Sequence, residues 1–310
     1  MTEFGLIDKI AAMCSRLPDN GWEGIGDDCA VLPAGEESIV VTADMLVEGV
    51  HFLRHAATAR EIGRKSLAVN LSDVAAMGAR PVATVLSIAI PEDAAGEWVE
   101  EFMEGYTGLS AEYGVALVGG DTTASNGGVT VNVTAFGTAP AANLKRRSAA
   151  VAGDIIAVSG RLGGSGAGLR DILAGHCDTE AAHVHMNPVP QVSEGQWFGG
   201  QRAVHAMMDI SDGVASDLRH IMERSGVGAE VDLEAVPADS DLRTALCAGE
   251  DYKLLLTVAA GEFDTVAAAF ESRFGRPLYN IGRITATAGD LRWLRNGVVS
   301  NDDFQGFTHF

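Results

Sequence analysis

Strand periods and helical periods alternate along this chain, and aspartates sit where the two meet. Asp27-Asp28 stand just before a predicted strand and Asp44 ends one. Asp121 follows another, and Asp209 and Asp212 flank the end of a fourth. Each lies beside a glycine or another small residue, so the backbone there can come close to a neighbour or ligand. An alternation of this kind folds as layers of sheet and helix, and loops at strand ends are where such layers collect ligand groups.

The periods place the elements. Phe4, Ile7, Ile10, Cys14 and Leu17 repeat at helical spacing and begin the chain with a helix. Cys29–Leu32 and Ile39–Thr42 are strands parted by a turn. Thr58 with Glu61 has the spacing of a capping box, so a helix starts near Ala59, runs to Met77 and stops at Gly78. Val82–Ile90 is a strand, and Trp98, Phe102, Tyr106, Leu109 and Tyr113 form one helical stripe. Val115–Val118 and Val129–Phe136 are further strands. After the basic turn Lys145-Arg146-Arg147 comes a strand at Ile155–Val158, then a glycine-rich loop at Gly160–Gly168 and a helix. A later strand ends at Asp209, and a helix carries Val214, Leu218, Ile221 and Met222. Asn296-Gly297 marks a two-residue hairpin. The expected class is α+β with mixed α/β character. The expected domains are two of similar size, 1–148 and 149–310, in keeping with a length of 310 residues.

Charge excludes one class of partner. Lys+Arg 22 against Asp+Glu 42 gives a net charge of −20, so the chain lacks the surplus cations that nucleic-acid binding needs. No apolar run approaches a bilayer span, and the N-terminus lacks the basic region of a signal peptide. The four cysteines form no C-x-x-C pair, which fits a reducing, cytoplasmic setting.

If the aspartates converge, their repulsion requires cations. Asp73 adds to that need, because it lies inside a helix on the flank of the buried stripe Leu67, Leu71, Val74 and Gly78. Oxygen ligands without converging His or Cys suit Mg²⁺ or Ca²⁺, and Mg²⁺ is commonly completed by substrate phosphates. His183 with His185, and His51 with His55, are weak signs of zinc, since no H-E-x-x-H is present. Neither a P-loop nor a G-x-S-x-G elbow occurs. The Gly160–Gly168 loop reads equally as a ligand loop or a flexible surface loop.

Taken together and in order, the motifs resemble those of thiamine-monophosphate kinases, relatives of aminoimidazole ribonucleotide synthetase and selenophosphate synthetase. The resemblance is carried by Gly24–Ala30, Thr42-Ala43-Asp44, Gly49-Val50-His51-Phe52 and Asn70–Gly78. It continues in Gly119–Thr123, Asp209–Gly213 and Gly249-Glu250-Asp251-Tyr252. It implies a two-domain fold like that of aminoimidazole ribonucleotide synthetase and a homodimer whose N-terminal sheets pair. It also implies ATP-dependent phosphorylation of thiamine phosphate to thiamine diphosphate, with several Mg²⁺ ions. The implied metal ligands are Asp28, Thr42, Asp44, Asp73, Asp121, Asp209 and Asp212. Asp44, Asp121 and Arg147 would carry catalysis, with Gly120, Arg147 and Ser211 at the ATP phosphates. His51, Glu250 and the C-terminal aromatic Phe304 would contact thiamine phosphate. Tyr106 fits an adenine neighbour and, from its helical stripe, a core residue equally well. Two positions depart from the family pattern: Ala43 stands where a hydroxyl residue is common, and Phe304 where Trp is common.

The implied acceptor is a phosphate monoester, whose second pKa is near ~6, so at neutral pH it is already a nucleophile and needs no general base. Two rival readings remain. One is a related enzyme using ATP on another acceptor. Cys14 lies within a helical stripe, not a glycine-rich segment, which disfavours a selenophosphate synthetase. The other is a non-catalytic Mg-nucleotide-binding regulator, which retention of every matched carboxylate disfavours.

Overall fold

A computed structural model of the chain describes residues 3–14 and 22–307. It opens with α1 (Glu3–Cys14), on which Ile10 is exposed; Leu17 of the expected stripe lies outside the described residues. β1 (Ala30–Ala34) and β2 (Glu37–Val47) follow as an antiparallel pair. Next come α2 (Ala59–Ala76), β3 (Arg80–Ile90), α3 (Glu97–Tyr113), β4 (Ala116–Ala124) and β5 (Thr130–Pro140). The strands form one five-stranded sheet in the order β1-β2-β5-β3-β4. Only the β3–β4 pair is parallel, so the sheet is mixed.

α2 is the central element. It begins as the Thr58/Glu61 spacing predicts: the Thr58 hydroxyl accepts from the Glu61 N–H, and the Glu61 carboxylate accepts from the Thr58 N–H. It ends before Gly78, which takes the left-handed φ of +73° that a side chain would resist. α2 packs on β2 and β5, on α3, and on elements of the second half of the chain. With neighbours on several sides, even its polar Lys65, Ser66, Asn70 and Ser72 are buried. Against α3 the approach is backbone to backbone. A Cβ at Gly63 would lie 2.0 Å from the Phe102 carbonyl oxygen, and one at Gly105 1.9 Å from that of Arg60.

The stripe on α3 faces this contact. Tyr106 is fully buried beside Phe102, and its hydroxyl donates to Thr84 at 2.7 Å. The core reading of Tyr106 therefore holds and the adenine contact does not, because a ring enclosed by α2, α3 and β3 has no face for a ligand. β4 is the opposite case: all nine of its residues are exposed, including Leu117 and Val118. It is an edge strand with no layer over it.

The second half begins with β6 (Ile155–Val158), α4 (Gly164–Leu173), α5 (Glu180–Met186) and α6 (Val192–Gly199). It continues with β7 (Val204–Asp209), α7 (Val214–Ser225), β8 (Gly228–Asp232), α8 (Leu242–Cys247) and β9 (Leu254–Val258). It closes with α9 (Phe263–Phe274), β10 (Tyr279–Thr285), β11 (Leu291–Arg295) and β12 (Val298–Val299). These strands form a seven-stranded mixed sheet in the order β12-β11-β8-β10-β6-β9-β7. The β11–β12 hairpin turns at Asn296 and Gly297, both at positive φ, as Asn-Gly predicts. The segment 141–154 links the two sheets. Among the described residues no helix is long and apolar enough to cross a membrane.

The glycine-rich stretch is only partly a loop. From Gly164 it is the start of α4, and its glycines serve packing: a Cβ at Gly168 would meet the Ala181 carbonyl oxygen at 2.0 Å. Asp251 accepts from the N–H groups of Gly163 (2.6 Å) and Ser165 (3.2 Å) at this helix start. A carboxylate of the chain thus occupies the position where a phosphate would bind.

Candidate active site

Three aspartates far apart in sequence meet at the junction of the two halves. Asp28 precedes β1, Asp73 lies on α2 and Asp209 ends β7; each offers a carboxylate oxygen within 4.8 Å of the other two. Asp44, on β2, is close enough to add its charge. Thr42 donates its hydroxyl to Asp73 at 2.5 Å, and Ser72 donates to Asp209 at 2.6 Å. The Asn70 side-chain oxygen accepts from the Asp44 N–H (3.1 Å), and Asn132 donates to the Asp44 carbonyl (3.1 Å). Backbone and side-chain bonds therefore fix the strand that presents Asp44.

The electrostatics are those of a site that wants cations. Burial, with Asp28 nearby, pushes the Asp44 carboxyl up to about 6. Burial and the neighbouring carboxylates raise Asp73 and Asp209 well above the usual carboxylate range. Arg147 is the cation held against the cluster. Its guanidinium grips Asp28 with two bonds, 2.8 and 3.3 Å, and its backbone N–H donates to Asp27 at 2.8 Å. Asp27, also pushed up to about 6 by burial, thus positions the turn that carries Arg147. A set of oxygen donors this close, on buried and half-buried side chains, fits a hard divalent cation.

A cavity of about 450 Å³ opens beside the cluster. Asp44, Asp73, Ser211 and Asp212 line it together with His51, His185, Glu250 and Phe307. His51 is fixed by accepting from the Val47 N–H at its Nδ1 (3.0 Å). Glu250 stands at a left-handed φ of +64° on a loop pinned to Ser211, whose carbonyl accepts the Glu250 N–H at 2.8 Å. Gly249 permits that pinning, since a Cβ there would meet the Ser211 carbonyl oxygen at 2.0 Å.

The candidates read from the sequence divide into two groups. Asp28, Thr42, Asp44, Asp73, Asp209 and Arg147 come together, and Ser211, Asp212, His51 and Glu250 face the adjoining cavity. Phe304 does not. It is buried against Trp293 with Arg243 over its ring, and Phe307, three residues on, is on the cavity wall with Phe52 and Tyr252. Asp121 and Gly120 also stand apart. Asp121 is on exposed β4, two strands beyond β5 and three from β2, about 14 Å from Asp44 by strand spacing. Asp27, Asn70, Lys65 and His185 are structural partners of the site; the first two stand within the motifs, His185 gave only a weak sign of zinc, and Lys65 carried no sequence signal. A lysine or asparagine on a helix ordinarily reads as an exposed face.

Comparison with known proteins agrees with this geometry. Residues 26–139 match the family described as AIR synthase related protein, N-terminal domain, and residues 151–293 its C-terminal domain. The thiamine-monophosphate kinase of Haemophilus influenzae is 36% identical, over 100% of this chain and 98% of its own length. That of Salmonella typhimurium is 37% identical over 93% of this chain and 91% of its own length. The solved structure of AaThiL complexed with AMPPCP and TMP is 30% identical, with a TM-score of 0.84 over 100% of this chain and 97% of that one. The chain thus belongs to the thiamine-monophosphate kinase family of the AIR synthase-related proteins.

Proposed function

We propose that this protein transfers the γ-phosphate of ATP to thiamine phosphate, giving thiamine diphosphate and ADP. The observation that carries the reading is one cavity beside the aspartate cluster, lined by Asp44, Asp73 and Asp212 together with Glu250, His51 and Phe307. The carboxylates suit metal-bound polyphosphate, and Glu250, His51 and Phe307 suit a flat, nitrogen-rich heterocycle. AaThiL complexed with AMPPCP and TMP, an ATP analogue and a phosphorylated acceptor, supports the same pairing of ligands.

Asp28, Asp44, Asp73 and Asp209 would hold Mg²⁺, with Asp212 and Thr42 at the margin. When bound, Mg²⁺ supplies charge neutralisation between two polyanions and a template for in-line transfer. The chain's own residues do the rest. Arg147, already held by Asp28, adds positive charge where the γ-phosphate would lie. Ser211, beside Asp212, offers a hydroxyl to a phosphate oxygen. Glu250 and His51 orient the acceptor, and Phe307 covers its ring face. No side chain need remove a proton, because the acceptor phosphate is largely ionised at neutral pH.

The reading extends to a homodimer. β4 supports it: a nine-residue strand exposed along its whole length is an edge that proteins normally cover. Pairing of N-terminal sheets would bury it, and would give Asp121 and Gly120 a route to the partner's carboxylates. A reducing cytoplasmic setting suits the buried thiol of Cys29.

An ADP-release assay with thiamine phosphate, with thiamine and with no acceptor tests the reaction. Release that requires thiamine phosphate is the expected result. Release stimulated by thiamine instead would move the assignment to an alcohol acceptor, and release without any acceptor would overturn it.

A further inference from the structure

Beside the cavity, around Glu250, lie two groups that the transfer reaction as described does not use, Lys65 and His185. Lys65 is fully buried in the middle of α2. Its Nζ donates to Glu250 Oε2 at 3.1 Å, and His185 Nε2 lies 3.3 Å from the same oxygen. On its other side His185 Nδ1 pairs with the Ser165 hydroxyl at 2.9 Å. Lys65 Nζ also lies 3.4 Å from His185 Nε2, so the lysine, the imidazole and the Glu250 carboxylate form one closed triangle of contacts, and His185 beside the ammonium is neutral. Burial and the Lys65 charge favour that state, holding His185 down at about 4.

From this geometry we infer that Lys65 and His185 are positioning residues that fix the Glu250 carboxylate in one orientation at the cavity wall. From there it recognises a protonatable or amino-bearing heterocycle. Three observations converge on this. Glu250 has a backbone φ of +64°, a conformation that costs free energy and persists only where surroundings enforce it. Its carboxylate is bound by two side chains from different elements, α2 and α5. A buried lysine whose charge faces one carboxylate at a ligand cavity has no solvent role to explain it. The His185–Ser165 contact extends the brace to α4, whose start is itself capped by Asp251, the residue after Glu250. The loop 249–252 is therefore tied at both ends of its side-chain set. The charged and titratable groups facing Glu250 include Lys65 from α2, His185 from α5, His51 from the segment after β2 and Tyr252 from its own loop.

This inference rests on the functional reading above, and the test separates the two. Binding of thiamine phosphate and of ATP is measured by calorimetry, and KM and kcat for each, for wild type, Lys65→Met, Glu250→Gln and the double variant. The expected result is a KM for thiamine phosphate raised about tenfold or more in Lys65→Met, with the KM for ATP unchanged and kcat within about threefold. The double variant should match Glu250→Gln alone, because Lys65 acts through Glu250. It leaves no buried charge unpaired, so it keeps the comparison available should Lys65→Met not fold. A double variant clearly weaker for thiamine phosphate than Glu250→Gln, or a wild-type KM in Lys65→Met, overturns the inference and leaves the reaction intact. Wild-type protein that neither binds nor phosphorylates thiamine phosphate overturns both.

Discussion

At the scale of single residues, the site is defined by charges that oppose one another until a cation arrives. Asp44 shows this best, since its strand is fixed on both sides by Asn70 and Asn132 while its carboxyl is buried among others. Asp44→Asn should lower kcat/KM about a hundredfold or more, roughly the ~3 kcal/mol expected when a ligand to a catalytic cation is lost. Circular dichroism should show the fold unchanged; wild-type turnover in this variant would refute the cluster's role. The same charges govern the metal-free protein. A carboxyl raised from its ordinary 3.8 to about 6 stabilises the fold fully below pH ~4, and that stability is lost as pH rises through about 6. In EDTA the melting temperature should therefore fall between pH 5 and pH 7.5, and added Mg²⁺ should raise it more at pH 7.5 than at pH 5. A melting curve insensitive to Mg²⁺ at both values would contradict this. Most of these residues were legible in the sequence, because strand-end aspartates beside small residues carry a positional signal. Lys65 was not, and His185 read only as a weak sign of zinc, since burial of a charged side chain follows from what packs around its helix, and no local pattern encodes that.

At the scale of elements, α2 decides whether the site forms. It supplies Lys65, Asn70 and Asp73, and its position is set by the glycine contacts with α3 as much as by its capping box. Gly105→Ala puts a methyl group about where the Arg60 carbonyl oxygen stands, and neither backbone can yield without moving its helix. The expected loss is at least 2 kcal/mol, toward the upper end of the ~1–3 typical of overpacking, read as a lower urea midpoint at an unchanged m-value. Thr58→Ala, which removes only the cap, should cost about 1 kcal/mol in the same experiment. If the two variants proved equal, close helix packing would not be what holds α2. The elements themselves were readable from period and punctuation: the Thr58/Glu61 box, Gly78 and Asn296-Gly297 all stand where the sequence predicts. The misreadings have a common physical cause. Gly160–Gly168 carries loop composition, yet its second half is helical because close neighbours require residues without side chains. Phe304 and Phe307 are three apart in a tail without regular structure, so no period says which one turns inward.

At the scale of the whole molecule, one residue marks what a single chain leaves incomplete. Asp121 belongs to the motif Gly119-Gly120-Asp121-Thr122-Thr123, yet it stands on an uncovered edge strand away from the carboxylates it resembles in kind. If two copies pair through their N-terminal sheets, each Asp121 serves its partner's cluster, and every active site then contains Asp44 from one copy and Asp121 from the other. This arrangement predicts complementation. Asp44→Asn and Asp121→Asn dimers should each be nearly inactive, because both sites in each lack one carboxylate. Unfolding and refolding them together at equal concentration makes half the dimers mixed by random pairing. In a mixed dimer one site carries both substitutions and the other carries neither, so about a quarter of wild-type activity should return. Wild type refolded alongside sets the scale, and sedimentation reports whether dimers form at all. Failure of activity to return in mixed dimers would mean that Asp121 acts within its own chain, through motion of β4, or not on the reaction. A monomer in sedimentation with full activity would remove the need for a partner altogether. If the site is shared in this way, dilution should also lower specific activity in step with dissociation, and Mg²⁺ with ATP should oppose that loss by binding only the paired form.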